Sequence, residues 1–515
     1  MLENNKSVTQ ARAGNGLRAR NILLNIMGQI IPIIVGIIAI PFIVQGLGIE
    51  GFGILSLAWM VLGYFAIFDL GLGRATTKFI SEELKNGITI NLRSLFWTSC
   101  WMNLVLGFVG GILIASMASF LAESVFRISP GMIQEARTIF FILAVSCPIV
   151  LVSTAFRGTL EAAQQFKYVN IVIAIFSSLS FLLPVFGIIV GFDIQGIIIL
   201  LMISRLCGAL VYLLLCFRVF PILRMNVSFG FNRVRQLLKF GGWVSISNFV
   251  SPILFYLDRF LIGSLISVAA VAYYTAPYEM VMRLSILPVS FAMTLFPSFS
   301  AVAAAVRESQ TGLYSHSVKM LLVVIGPLVA TVVLFAVDIL RLWLGLQFAE
   351  NSMLILQILA IGMLVNSLAQ IPFALIQGFG RPDITAKFHF IELLLYAPLT
   401  WFLVKNMGIV GGAIAWTIRV TFDAMLLFSV SIKFINFQKF FDIRLKRCII
   451  FVFSLLCILI GLSFLNGTFI IKMVISTPII ALYAIASWYF VLDVGEREMI
   501  SSLARRFVGV TGETI

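Results

Sequence analysis

Long apolar runs follow one another from residue 21 to residue 492, separated by short polar stretches. Many reach 18 residues or more, enough for a helix to cross the hydrocarbon core of a bilayer. Transmembrane strands would alternate apolar and polar positions over about ten residues, and these runs do not alternate. The pattern predicts fourteen helical spans: 21–45, 52–72, 94–121, 137–157, 169–190, 196–217, 241–265, 268–303, 320–344, 352–377, 388–404, 410–432, 447–465 and 472–492. The expected fold class is an all-α polytopic membrane protein. The eighth span carries Pro277, Pro288 and Pro297. Each removes a helix hydrogen bond, which makes this span a candidate bending element.

Composition agrees. The chain of 515 residues is 61% hydrophobic and 11% charged, against roughly a quarter charged in soluble domains. The first run follows Arg12, Arg18 and Arg20 and could pass for a secretory leader. It continues to about Val44 without a prompt small-residue cleavage site, so it reads as an uncleaved first span.

The net charge of +14 invites a nucleic-acid reading, but the placement of the charge argues against one. Of 36 Lys and Arg residues, 27 fall in the loops and tails of one side, 5 in the opposite loops and four inside spans. An even number of spans puts both termini on the basic side, which is the cytoplasmic one. Net charge then reports topology, and no nucleic-acid partner is expected. The longest outer loop, "AESVFRISPGMIQEAR", is about sixteen residues, too short to fold alone. Six cysteines lie in or beside the spans without a CxxC pair, so neither a metal site nor a disulfide framework is expected.

Three landmarks repeat in order. "ILA" at 142–144 returns at 358–360, an offset of 216. Gly158 and Lys167 return as Gly378 and Lys387, offset 220. "DIQGIIILLMISR", ending at Arg205, returns as "GIVGGAIAWTIR", ending at Arg419, offset 214. The unit implied is six spans. The expected organisation is a basic tail (1–20), a six-helix lobe (21–218), a linker (219–239), a second six-helix lobe (240–432), a basic loop with two extra helices (433–492) and a tail (493–515). Parallel repeats of this kind are a transporter architecture, with the substrate site between the halves near the midplane.

Several stretches carry a resemblance: the basic start, "LGIEGFGILSLA" entering span two, "RGTLEAAQQFKYVN" after span four, "YLDRFLIG" in span seven and "IQGFGRPDITAKF" after span ten. Together they resemble the bacterial lipid-linked oligosaccharide flippases of O-antigen and capsule assembly. These belong to the multidrug/oligosaccharidyl-lipid/polysaccharide exporter superfamily. The resemblance implies two six-helix lobes around a central cavity, two further helices, alternating access and residence in the bacterial cytoplasmic (inner) membrane. It also implies a polyprenyl-diphosphate-linked glycan as substrate, with a polysaccharide polymerase or chain-length machinery as candidate protein partners. Arg74 and Lys78, after "FDLGLG", are implied candidates for capturing an anionic headgroup at the cytoplasmic face; ordinary topology charge is the favoured explanation for both. The peptidoglycan-precursor relative expects an Arg-Asp pair in the first span. "NIMGQIIPII" has no charge there, which weighs against that substrate.

Charge inside a span is costly and usually faces a cavity or a partner. Four arginines qualify: Arg205, Arg259, Arg283 and Arg419. Glu279 precedes Arg283 by one helical turn and Asp423 follows Arg419 by one, so each pair can neutralise itself locally. Asp258 and Arg259 are adjacent and point about 100° apart on a helix, so they look to different partners. Arg205 has no acid at three or four positions in either direction. Counted from the span's outer end, it lies roughly 13 Å deep, which favours a cavity-facing role over snorkelling. Guanidinium suits the oxygens of a diphosphate and stays charged. The four arginines are therefore the expected diphosphate site, and Asp258, Glu279 and Asp423 are candidates for coupling to a proton or sodium gradient. No cofactor is expected beyond that gradient. Gln29, Asn248, Tyr256, Asn366 and Gln370 are weaker candidates for the cavity wall.

Two other readings stay open. A drug or cation antiporter of the same superfamily would want acids to dominate the cavity, whereas the deep charges lean positive. A membrane-embedded glycan-processing enzyme would want an acid/base or metal constellation. His316 and His389 carry no partner signature, and neither DxD nor HxxxxD occurs.

Overall fold

The computed structural model describes residues 2–85, 90–225, 227–302, 307–433, 435, 443–464, 468–498 and 501, with side chains described from residue 30 onward. Side chains in a few further stretches, 239–248 and 300–310 the longest, also lie outside the described set. The described residues are almost wholly helical and contain no strand. Ten of their helices are long and apolar enough to cross a membrane.

Two of these ten are broken by glycine. The first helix, α1 (Leu2–Phe68), contains Gly48 at φ 70°, and a 50-residue helix, Pro382–Ser431, contains Gly408 at φ 63°. Positive φ is where glycine alone sits without strain, so one apolar run becomes two crossings. That is how spans one and two, and spans eleven and twelve, are joined.

Contacts divide the chain into two compact units: 1–283 with 389–415, and 284–388 with 416–515. This is a division by contact, distinct from the division by repeat expected around 219–239.

In the first unit, α1 is followed by α2 (Leu72–Lys85), α3 (Ile90–Phe120), α4 (Ile133–Ala162), α5 (Phe166–Val190), α6 (Ile194–Val219), α7 (Phe231–Leu265) and α8 (Val268–Arg283). α3 packs on α4, α1 on α5 and α8, and α4 on α6. The reading of 73–93 as plain loop misses α2. This amphipathic helix buries Leu72, Ala75, Thr76, Phe79 and Ile80 against Leu95, Phe96, Phe156 and Cys216. Its entry is fixed by Asp69, 8% exposed, whose carboxylate accepts from the Gly73 amide and from the Thr154 hydroxyl of α4 at 2.8 Å. α6 begins where Asp193 accepts from the Gly196 amide at 2.8 Å, a side-chain N-cap. Close approach of α1 to α8 needs a glycine: a Cβ on Gly53 would lie 2.3 Å from the Val268 carbonyl oxygen.

The run expected as one long eighth span is two helices, α8 and α9 (Ile286–Val302), separated at Leu284–Ser285. Pro288 accounts for the break. It has no N–H for the Leu284 carbonyl, and its ring would clash with that group in a continuous helix. Pro277 lies inside α8 without interrupting it.

The second unit holds α9, α10 (Arg307–Leu334), α11 (Ala336–Leu344), α12 (Leu346–Gly378), both ends of α13 (Pro382–Ser431), α14 (Ile443–Ser463) and α15 (Phe469–Phe490). α10 packs against α12 and α14, and α12 against α9 and α11. Lys319 of α10, 4% exposed, meets Glu496 beyond α15 at 2.7 Å, and His316 contacts the same carboxylate. Glu496 and Asp493 cap each other's backbone amides, at 2.8 and 2.9 Å.

One helix stop recurs at the offset of the expected repeat. α4 ends through Ala163, with Gln164 at φ 56° and the Gln165 amide bonded to the Leu160 carbonyl. α12 ends through Phe379, with Gly380 at φ 72° and the Arg381 amide bonded to the Ile376 carbonyl. Both are left-handed helix stops of the Schellman kind, with Gln164 and Gly380 216 positions apart.

Candidate functional site

Two deep arginines meet in the first unit. A cavity of about 290 Å³ is lined by side chains of α1, α5, α6, α7 and α8, including Trp59, Arg205, Tyr256, Arg259, Thr275 and Glu279. Arg259 is 3% exposed. Its guanidinium lies 4.0 Å from the ring centre of Tyr278 and 5.3 Å from that of Tyr256. Aromatic faces hold a desolvated cation in place without using up its donors. Nε and Nη2 of Arg259 find no hydrogen-bond partner among the described residues.

Neighbouring groups share that condition. Trp59 Nε1 and Thr275 Oγ1 are buried and also lack a partner among the described residues, and both residues line this cavity. Buried polar groups are almost always satisfied, and the residues that carry these unsatisfied atoms line one cavity, which makes it the candidate site. Most are pure donors: guanidinium and indole N–H groups accept nothing. Trp59 is held edge-on against Phe181 at 5.3 Å. Gly63 makes room for Tyr256, whose ring carbon would lie 2.1 Å from a Cβ there.

Arg205 is half-buried on the same wall and has no ion-pair partner among the described residues. Glu279 also faces the cavity and binds Arg283 at 2.6 Å, as the one-turn spacing suggested. Arg283 rests over the Phe181 ring at 5.7 Å. Asp258 points elsewhere: fully buried, it accepts from the Tyr274 hydroxyl at 2.6 Å and from the Arg259 amide at 2.7 Å.

Tyr256 excepted, the remaining candidates are not among the described residues that line this cavity. Arg419 and Asp423 are half-buried, one turn apart on the part of α13 that belongs to the second unit. Arg74 and Lys78 are exposed on α2, with Lys78 3.8 Å from Glu82. Tyr256 lines the cavity, whereas Asn366 and Gln370 belong to the second unit. The side chains of Gln29 and Asn248 lie outside the described residues. His389 meets Glu392 at 3.3 Å, a partner three positions on that the sequence reading passed over. It also passed over Trp59, Thr275 and the serines of α5. Only the serines left a signal, as three hydroxyls in "FSSLSF" (176–181).

The model of a family described as "Polysaccharide biosynthesis protein" matches residues 18–303. The chain belongs to this family. A curated relative from Shigella flexneri, described as "Putative O-antigen transporter", is 31% identical over 416 residues, covering 79% of this chain and 96% of its own. Among solved structures, an inward-facing multidrug resistance MATE transporter of the MOP superfamily aligns with TM-score 0.67 at 17% identity, over 80% of this chain and 98% of its own. The lipid II flippase MurJ, in an inward closed conformation, aligns with TM-score 0.66 at 15% identity, over 94% of this chain and 99% of its own. At such identities the structural likeness speaks for the fold. The family and the Shigella flexneri relative make the chain a membrane transporter rather than an enzyme, and its ten candidate spans make it multi-pass.

Proposed function

We infer that the protein flips polyprenyl-diphosphate-linked oligosaccharide repeat units, of the O-antigen or capsule type, by alternating access. The lipid moves from the cytoplasmic to the outer leaflet of the bacterial inner membrane. The observation that carries this reading is the cavity of Arg205 and Arg259, whose buried donors lack partners among the described residues. A diphosphate is anionic and accepts hydrogen bonds without donating them. Crossing hydrocarbon unaided would cost it far more than any lipid tail returns. Guanidinium N–H groups and an indole N–H in a desolvated cavity replace the water it leaves behind.

Glu279 is the acid of this cavity's lining, and Arg283 neutralises it. The free charge is therefore cationic, which suits an anion better than the cationic drug of an antiporter. Of the three acids considered for gradient coupling, Glu279 alone lines this cavity, and coupling is assigned to it. Both termini are placed in the cytoplasm by the distribution of basic residues. Arg74 and Lys78 are exposed there on α2, Lys78 beside Glu82 at 3.8 Å, and ordinary topology charge remains the favoured explanation for both.

The test is flipping of lipid-linked oligosaccharide in reconstituted vesicles. Arg205→Ala and Arg259→Ala are each expected to lower the rate at least tenfold, with the protein still folded and inserted. Wild-type rates in both variants would overturn the assignment.

A further inference from the structure

A second cavity of about 180 Å³ lies between α4, α5 and α6 and shares Ser177, Ser180 and Arg205 with the first. The polar residues it adds, Ser153, Ser204 and Tyr212, all carry hydroxyls. Ser153 donates its hydroxyl proton to the Val150 carbonyl at 2.7 Å, and Ser180 donates to the Phe176 carbonyl at 3.1 Å. A serine that has given away its one proton presents only lone pairs. Ser177 and Ser204 make no hydrogen bond among the described residues, so each offers a donor and an acceptor to this space. Phe176 and Tyr212 supply apolar faces on the same lining.

The two cavities thus ask for different chemistry. The Arg259 side offers donors to a group that only accepts. The serine side adds acceptors at Ser153 and Ser180 to the hydroxyls of Ser177 and Ser204, which can both donate and accept, and an ionised phosphate can use only the donors among them. A ligand group for the serine side must donate hydrogen bonds, accept a few and carry C–H faces, as a sugar ring does. Sites for drug-sized ligands run to about 300–1,000 Å³, so each cavity alone fits one part of a larger headgroup. Arg205 stands on both walls.

We propose that the serine-lined cavity is a glycan subsite, holding the sugar next to the diphosphate while Arg205 spans the two. The proposal rests on the diphosphate reading above for the orientation of the lipid and extends it to the sugar. Ser153 and Ser204 line the serine cavity and not the other, and Arg259 lines only the other. Their variants therefore separate the two claims.

The experiment measures equilibrium binding of two probes to the full-length protein in detergent: undecaprenyl diphosphate, and the same lipid carrying one N-acetylhexosamine. Wild type is expected to bind the sugar-bearing probe more tightly. The double variant Ser153→Ala/Ser204→Ala should weaken that probe about tenfold, the scale of one or two lost hydrogen bonds. It should leave the bare lipid unchanged, which also shows that the variant is folded. Arg259→Ala should weaken both probes. Equal binding of the two probes by wild type overturns the subsite, as does a serine variant that loses neither probe or both alike. If Arg259→Ala binds both probes as wild type does while the serine variant still discriminates, the diphosphate reading falls and the subsite stands.

Discussion

Arg259 and Asp258 are sequence neighbours with opposite fates. Asp258 turns into the protein and binds Tyr274, while Arg259 turns to the cavity and is held by aromatic faces. The spacing showed that they must diverge, but not which of them would meet the cavity. Lysine cannot replace the arginine, because an ammonium presents no planar fork and is more strongly hydrated. Arg259→Lys is expected to retain the fold, judged by its melting temperature in detergent, and to lose most of the flipping rate. Asp258→Ala should do the reverse damage. It strips partners from a buried hydroxyl and removes the charge beside a buried guanidinium, at a cost on the order of 3 kcal/mol. A clear drop in melting temperature checks it, with a smaller drop for Asp258→Asn.

At the scale of elements, the apolar pattern located the helices well but could not see their breaks or close approaches. Gly48 and Gly408 look like any glycine in an apolar run, yet each turns a continuous helix into two. Pro288 breaks its span while Pro277 does not interrupt its own, because only tertiary packing decides whether a proline's lost hydrogen bond becomes a break. α2 was legible in principle, since its buried positions recur at helical spacing between Arg74, Lys78 and Glu82. Gly53→Ala and Gly63→Ala test the distinction between kinds of close approach. The first would drive a methyl into the Val268 backbone carbonyl, the second into the movable ring of Tyr256. Overpacking costs about 1–3 kcal/mol. Gly53→Ala should show the larger fall in thermal stability, and Gly63→Ala the larger fall in lipid binding, as Tyr256 is displaced from Arg259.

Across the whole molecule, Lys319 and Glu496 tie α10 to the segment after α15 through a buried ion pair. Breaking such a pair leaves an uncompensated charge, costing about 3–5 kcal/mol. Lys319→Ala should therefore destabilise the protein more than Lys319→Met/Glu496→Gln, as read by melting temperature. The charge asymmetry is also testable at this scale. Reporter fusions at residue 1 and residue 515 should both signal a cytoplasmic location, and an outer location for either would overturn the orientation.

What the sequence determined by itself was the solvent. Apolar runs of membrane length and a one-sided spread of basic residues follow from hydrophobic burial and topology, which depend on composition along the chain. It also picked out the deep arginines, because a charge in an apolar run is conspicuous wherever it lies. The structure decided which of them converge: Arg205 and Arg259 on one cavity, Arg283 on Glu279, Arg419 in the other unit. It also supplied Trp59, Thr275 and the serine lining. The physical reason is that an unsatisfied donor is defined by what surrounds it in space, and residues from five helices must be brought together before its lack of a partner exists.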